Sequence, residues 1–225
     1  GQLRASASQT LARPEYRELS PVQYLEVVGG QITSGNPNLV RTLIQSYDLK
    51  YELFPNPGEV LSVGVFAKRF DRPIERVDIA TGGQPIVSFF NAAAATNLGV
   101  ELEARKSLGA LGPSFEPLTV FTNVTLMTSD IEIGEGASAN TNANRPIMGQ
   151  APWVVNAGTT YASPGSGLSA TLLYSAVGAR IYSAGTIPFP DVYEQPRHMV
   201  DLSLRVPLGE RWTWRMDARN LLDAP

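Results

Sequence analysis

The stretch MVDLSLRVPLGERWTWRMDARNLLD, Met199 to Asp223, decides how this chain is read. Val200, Leu202, Leu204 and Val206 fall on one face of an extended strand, and Asp201, Ser203 and Arg205 on the other, because successive side chains point to opposite sides. After the turn PLGER the alternation resumes: Trp212, Trp214, Met216 and Ala218 share a face opposite Thr213, Arg215, Asp217 and Arg219. A half-buried hairpin of a soluble protein gives this pattern. So does a wall with oil on one side and water on the other.

The same alternation recurs outward from this hairpin across the 225 residues. Leu98, Val100, Leu102 and Ala104 oppose Asn97, Gly99, Glu101, Glu103 and Arg105. Leu43, Tyr47, Leu49, Tyr51 and Leu53 oppose Thr42, Ser46, Asp48, Lys50 and Glu52. Further segments follow at Leu3 to Leu11, Glu59 to Phe70, Leu118 to Asp130 (its faces mixed), Pro152 to Ala162 and Leu168 to Tyr182, about nine strands in all. Their connections run long, short, long, medium, long, short, long, short. In an up-and-down sheet this places every long connection at one end, as in outer-membrane barrels, whereas Greek-key sandwiches do not sort their loops this way. The reading is an all-β fold: an antiparallel up-and-down transmembrane β-barrel, here a partial barrel of about nine strands. A soluble sandwich, propeller or β-solenoid remains the alternative.

Energetics orient the wall. A basic residue at the midplane of a bilayer-facing strand costs about 2–4 kcal/mol, so the face carrying Arg215, Asp217 and Arg219 belongs to an enclosed aqueous interior. By the same parity the lumen-facing charges are Glu101, Glu103, Arg105, Asp201 and Arg205, expected to pair with one another across strands. Trp212 and Trp214 beside a short turn, with Tyr51, Phe54 and Tyr161 beside two others, read as aromatics of one membrane interface.

Composition narrows the classes. Charged residues are 17% of the chain, below the usual quarter, and the net charge of −3 comes without a Lys/Arg run, which argues against a nucleic-acid surface. The absence of cysteine excludes disulfides and thiolate metal sites. No stretch reaches the ~18 consecutive apolar residues of a membrane helix, a criterion blind to spanning strands. His198 is the only histidine, so neither a zinc site nor a nucleophile–histidine pair can be assembled around it, and neither enzyme chemistry nor a cofactor is expected. Glu101 and Glu103 resemble a catalytic carboxylate pair only by spacing, and Arg105 continues their row as ordinary lumen lining. IEIGEGASANTNANR, from Ile131, has oxygens suited to calcium but not the spacing of a calcium loop. ATGGQP, Ala80 to Pro85, lacks the lysine of a phosphate loop. Arg180, Tyr182, Tyr193 and Arg197 flank one long loop and offer cationic and aromatic groups for an anionic chelate.

Six segments in order, RPEYRELSP (Arg13 to Pro21), GNPNL (Gly35 to Leu39), Tyr47 to Glu75, NLGVELEARKSL (Asn97 to Leu108), QAPWVVNAGTTY (Gln150 to Tyr161) and Val200 to Asp223, resemble the C-terminal barrel half of TonB-dependent outer-membrane receptors. The resemblance implies a 22-stranded barrel with an N-terminal plug, energised by TonB. It implies import of a scarce ligand, most often a ferric siderophore, otherwise haem, cobalamin or a glycan, in the outer membrane of a Gram-negative bacterium. Residues 1–225 then form a fragment from which the plug, the early strands and the last strand are absent. TonB is expected as a partner through that N-terminal region, and outer-membrane lipid and the small-molecule ligand are expected as the other partners. A passive porin and a soluble binding or adhesion module are the rival functions.

Overall fold

Alternating sequences rich in β-branched and aromatic residues pair edge to edge, and tight turns set their register. The computed structural model describes residues 1–25, 32–79, 86–134, 140–142, 144–185, 187 and 189–224. Its strands are β1 (Gln2–Ala12), β2 (Gln23–Leu25), β3 (Ile32–Ser34), β4 (Thr42–Leu53), β5 (Val60–Asp71), β6 (Ile74–Ile79), β7 (Ile86–Asn91), β8 (Ala94–Ser107), β9 (Leu118–Glu132), β10 (Asn144–Arg145), β11 (Trp153–Ala162), β12 (Ser169–Val177), β13 (Arg180–Ser183), β14 (Val192–Glu194), β15 (Arg197–Leu208) and β16 (Trp212–Ala218). Strands make up 63% of the described residues. Nine of them form one antiparallel path in chain order, β1-β4-β5-β8-β9-β11-β12-β15-β16, with β10 added beside the far end of β9. This is the predicted up-and-down partial barrel.

The register keeps the two faces apart. Leu3, Tyr51, Val63, Leu102 and Val124 form one cross-strand row; Arg4, Lys50, Gly64, Glu101 and Thr125 form the next, on the opposite face. The apolar face is open: Leu49, Val65, Leu98, Leu126, Leu172 and Trp214 are all exposed. The chain presents 14290 Å² to solvent, against about 10,000 Å² for a compact monomer of its 24.3 kDa mass. An apolar sheet face of this extent needs a cover that the described residues do not supply.

One boundary differs from the sequence reading. Leu168 to Tyr182 is not one strand: β12 ends at Val177 and β13 starts a separate pairing with β14. Gly178 is the break. Its N–H donates to the Trp153 carbonyl at 3.0 Å, and a Cβ there would stand 2.9 Å from Trp153 Nε1. The mixed faces of β9 also have a cause. Phe121 lies on the charged face over Gly158 of β11, as Phe66 lies over Gly99 of β8, so an aromatic ring covers the backbone that each glycine leaves bare.

The four long connections all emerge at one end and fold rather than trail. The first holds α1 (Tyr16–Leu19), β2 and β3; the second β6 and β7; the third β10; the fourth β13 and β14. β2, β3, β7 and β6 join in one four-stranded sheet through a parallel β3–β7 contact. Beneath it Ala92, Ala95, Ile131 and Ile133 form a buried cluster packed against Phe70, Phe90 and Ile147.

Candidate functional site: the loop cap and the charged face

The loops are tied to one another by side chains that satisfy distant backbone groups. Asn91, at the end of β7, accepts from the Val40 N–H at 2.9 Å. Its amide donates to the Val40 carbonyl at 3.0 Å and to the Arg72 carbonyl at 2.8 Å. Asn36 donates to the Phe89 carbonyl at 3.0 Å. The third loop meets the fourth where Asn142 donates to Asp191 at 2.7 Å and the Gly149 N–H donates to the Ile181 carbonyl at 2.9 Å.

At the centre of the cap Arg145 of β10 meets Glu75 of β6 at 2.9 Å, with both side chains almost fully buried, at 2% and 5% exposure. Arg145 also donates to the Pro146 carbonyl at 3.2 Å. Burial pushes the Glu75 carboxyl above its ordinary value, and the charge and hydrogen bond of Arg145 offset only part of that rise. Nothing in the local sequence marks this pair, since its members lie 70 residues apart.

Arg180 and Tyr193, two of the four residues expected near ligand, line one cavity of about 190 Å³ at this end, together with Met127, Ser129, Gln150 and Ile181. Tyr182 and Arg197 do not line it. Arg180 Nε lies 2.7 Å from Glu194, and that hydrogen bond holds the Glu194 carboxyl below its ordinary value. The cation is therefore already partnered across the β13–β14 pair.

The charged face builds a network, with partners other than those expected. Glu103 takes Lys50 at 3.1 Å rather than Arg105. Lys50 also reaches Glu52 at 3.2 Å, and Arg4 reaches the same carboxylate at 3.1 Å. Lys50 can cross β5 because its register partner there is Gly64, whose missing side chain leaves the path open. Glu101 and Arg105 make no ion pair among the described residues. Asp201 accepts the Asn220 N–H at 2.8 Å instead of pairing with Arg205. Arg205 stands opposite Arg215, which pairs along its own strand with Asp217 at 2.9 Å; Ser203 donates to Asp217 at 2.7 Å. Arg219 follows directly on β16.

Trp212, Trp214, Tyr51, Phe54 and Tyr161 all lie at the short-turn end, and all are exposed. A second aromatic group, missed in the sequence, sits at the long-loop end of the same apolar face. His198 lies 6.0 Å from the Tyr174 ring and 6.3 Å from that of Trp153, and its Nδ1 is 2.7 Å from the Tyr174 hydroxyl. The shared parity of these residues on three neighbouring strands was the available signal. Among the described residues no group of three His, Cys, Asp or Glu is placed to hold a metal ion. ATGGQP lies outside the described residues, as does part of the loop weighed for calcium.

The model for the TonB dependent receptor-like β-barrel matches residues 1–221. No curated protein sequence matches the chain. Among solved structures it resembles a mutant of the ferric enterobactin receptor PfeA of Pseudomonas aeruginosa (TM-score 0.63, 16% identity), covering 98% of this chain and 32% of that one. The siderophore receptor PirA of the same organism gives 0.64 at 17% identity, covering 98% and 36%. The FrpB iron transporter of Neisseria meningitidis gives 0.57 at 14%, covering 86% and 28%. The chain thus spans about a third of the length of these structures, with a two-faced nine-strand wall whose long connections gather at one end. It belongs to the family of TonB-dependent receptor-like β-barrels.

Proposed function

We propose that this chain is the C-terminal part of the wall of an outer-membrane receptor that imports a ferric siderophore into a Gram-negative bacterium with energy supplied through TonB. The observation that carries the reading is the pairing of an exposed apolar face with a charged face beneath a joined cap of four long loops. In this reading the apolar face meets lipid, and Tyr51, Phe54, Tyr161, Trp212 and Trp214 mark its inner edge. Glu101, Glu103, Arg105, Asp201, Arg205, Arg215, Asp217 and Arg219 line the lumen around a plug. Arg180 and Tyr193 contact the ligand from the cap, which excludes bulk water and holds the chelate without covalent chemistry. Membership of the family and the siderophore receptors among the similar structures support this.

Uptake of iron-labelled catecholate and hydroxamate siderophores by cells carrying the full-length receptor tests it. Accumulation that stops when TonB is deleted, while surface binding persists, is the expected result. Accumulation indifferent to TonB, with ohmic conductance in planar bilayers, would replace the receptor by a passive porin.

A further inference from the structure

The four long loops carry no lysine, and acids match their arginines: three against three in the first, two against two in the second, one against one in the third and two against one in the fourth. The matching is also local. Arg145 is held by Glu75, Arg180 by Glu194, and Arg72 by Asp71 at the end of β5. Arg197 adds its charge against Glu194. Arg17 and Arg76 share a hollow of about 270 Å³ with Glu15 and Glu18. Arg13 and Arg41 flank the paired Ala12 and Thr42, so they keep the parity of Leu11 and Leu43, on the apolar face.

The charged face just below the cap is no richer in positive charge. Lys68 stands there in a row with Ser8, Ser46, Asn97 and Ser129. The next row sets Asp48 beside Ser6, Phe66, Gly99 and Met127. What this end offers instead is neutral surface. The cavity of about 190 Å³ places Ser129 and Gln150 among Met127, Pro152, Ile181 and Tyr193. Val22, Leu25, Tyr182, Ile187 and Phe189 of the loops are exposed. A multiply charged anion enclosed here would lose its water and meet no surplus of positive charge in exchange. Hydroxyls, amides and apolar rings serve an uncharged ligand without that cost.

Three hydroxamates cancel the charge of ferric iron, whereas three catecholates leave a trianion. We propose that the ligand under this cap is an uncharged ferric chelate of the trihydroxamate class. The inference rests on the reading of the chain as part of a siderophore importer and narrows its substrate. Arg180, placed by the sequence where an anionic chelate would need it, is committed to Glu194, and the contact it makes with ligand is that of a neutralised pair.

The test compares iron-labelled ferrichrome and ferric coprogen, both uncharged, with ferric enterobactin, a trianion. Binding is measured on TonB-deleted cells carrying the full-length receptor, and uptake on cells with TonB. Wild type should bind at least one uncharged chelate about tenfold or more tighter than the trianion, a margin that persists when salt screens surface charge. Glu194→Gln keeps the shape of the side chain and leaves Arg180 and Arg197 unmatched. It should narrow the margin by about tenfold, through tighter binding of the trianion. Equal or tighter binding of ferric enterobactin by wild type overturns the charge class, and its TonB-driven uptake would leave the importer reading standing. A margin indifferent to Glu194→Gln at equal surface amounts of receptor also overturns it. Failure of all three chelates to bind receptor present at the surface removes the siderophore reading and this inference with it.

Discussion

The residue with the most consequence for the cap is Arg145. Its guanidinium and the Glu75 carboxylate are both buried, and each is tolerable only because the other is there. Arg145→Met strands a carboxylate and should destabilise the cap by about 3–5 kcal/mol, while Arg145→Met with Glu75→Leu removes both charges and should recover most of that loss. Hydrogen exchange at the β6 and β10 amides measures it. The sign of the pH effect follows from the raised Glu75 value. A carboxyl whose folded value lies above its unfolded value of 4.5 stabilises the fold fully below 4.5, and the contribution is lost as pH rises through the folded value. Exchange in β6, corrected for intrinsic rate, should therefore slow on acidification through that window, and Glu75→Gln should remove the dependence. None of this is legible in the sequence. A buried ion pair between distant loops leaves no periodicity, and the Glu75 and Arg145 letters look like any surface charge.

At the scale of one element, parity is what the sequence states most plainly, and parity decides the behaviour of β15. Leu202 pairs with Leu172 on one side and Ala218 on the other, all on the apolar face; Ser203, one position on, faces Asp217. Leu202→Arg should cost about 2–4 kcal/mol in urea unfolding of the full-length receptor in phosphatidylcholine vesicles, and Ser203→Arg less than about 1 kcal/mol, since the new cation lands beside a carboxylate. Equal costs for the two would contradict a lipid-facing assignment of Leu202. Strand existence and order were readable for the same reason: nine segments alternate, and tight turns rich in Pro, Gly and Asn separate every second pair. The end of β12 was not readable, because Val177 to Tyr182 keeps an apolar alternation through Gly178, and the Trp153 ring that lies against that glycine is distant in sequence. The charged rows were readable as rows but not as pairs. Lys50 and Glu103 meet two strands apart because of a glycine between them, which no rule of opposite residues anticipates.

For the whole molecule, the sequence reading stopped at the rim of the wall. It saw the long connections as loops, and they form sheets, because their backbone groups are satisfied by side chains and strands far away in the chain. That organisation implies that the first and second loops stabilise each other. Asn91→Ala removes three hydrogen bonds that link Val40 in the first loop to Arg72 at the foot of the second, so it should expose both loops, not its own alone, to limited proteolysis in the full-length receptor. Cleavage confined to the second loop would show that the two open independently. The wall beneath the cap has its own test at this scale. Its apolar and charged faces alternate across nine strands without a slip in register. One side of the sheet should therefore report one solvent throughout. Spin labels at Leu102, Leu204 and Trp214 should be broadened by oxygen, which partitions into acyl chains, and labels at Glu103, Arg205 and Arg215 by a water-soluble nickel chelate. A mixed pattern along one face would mean that the strands close around something other than a lumen, for a one-residue shift anywhere in the path would carry every later side chain to the wrong solvent.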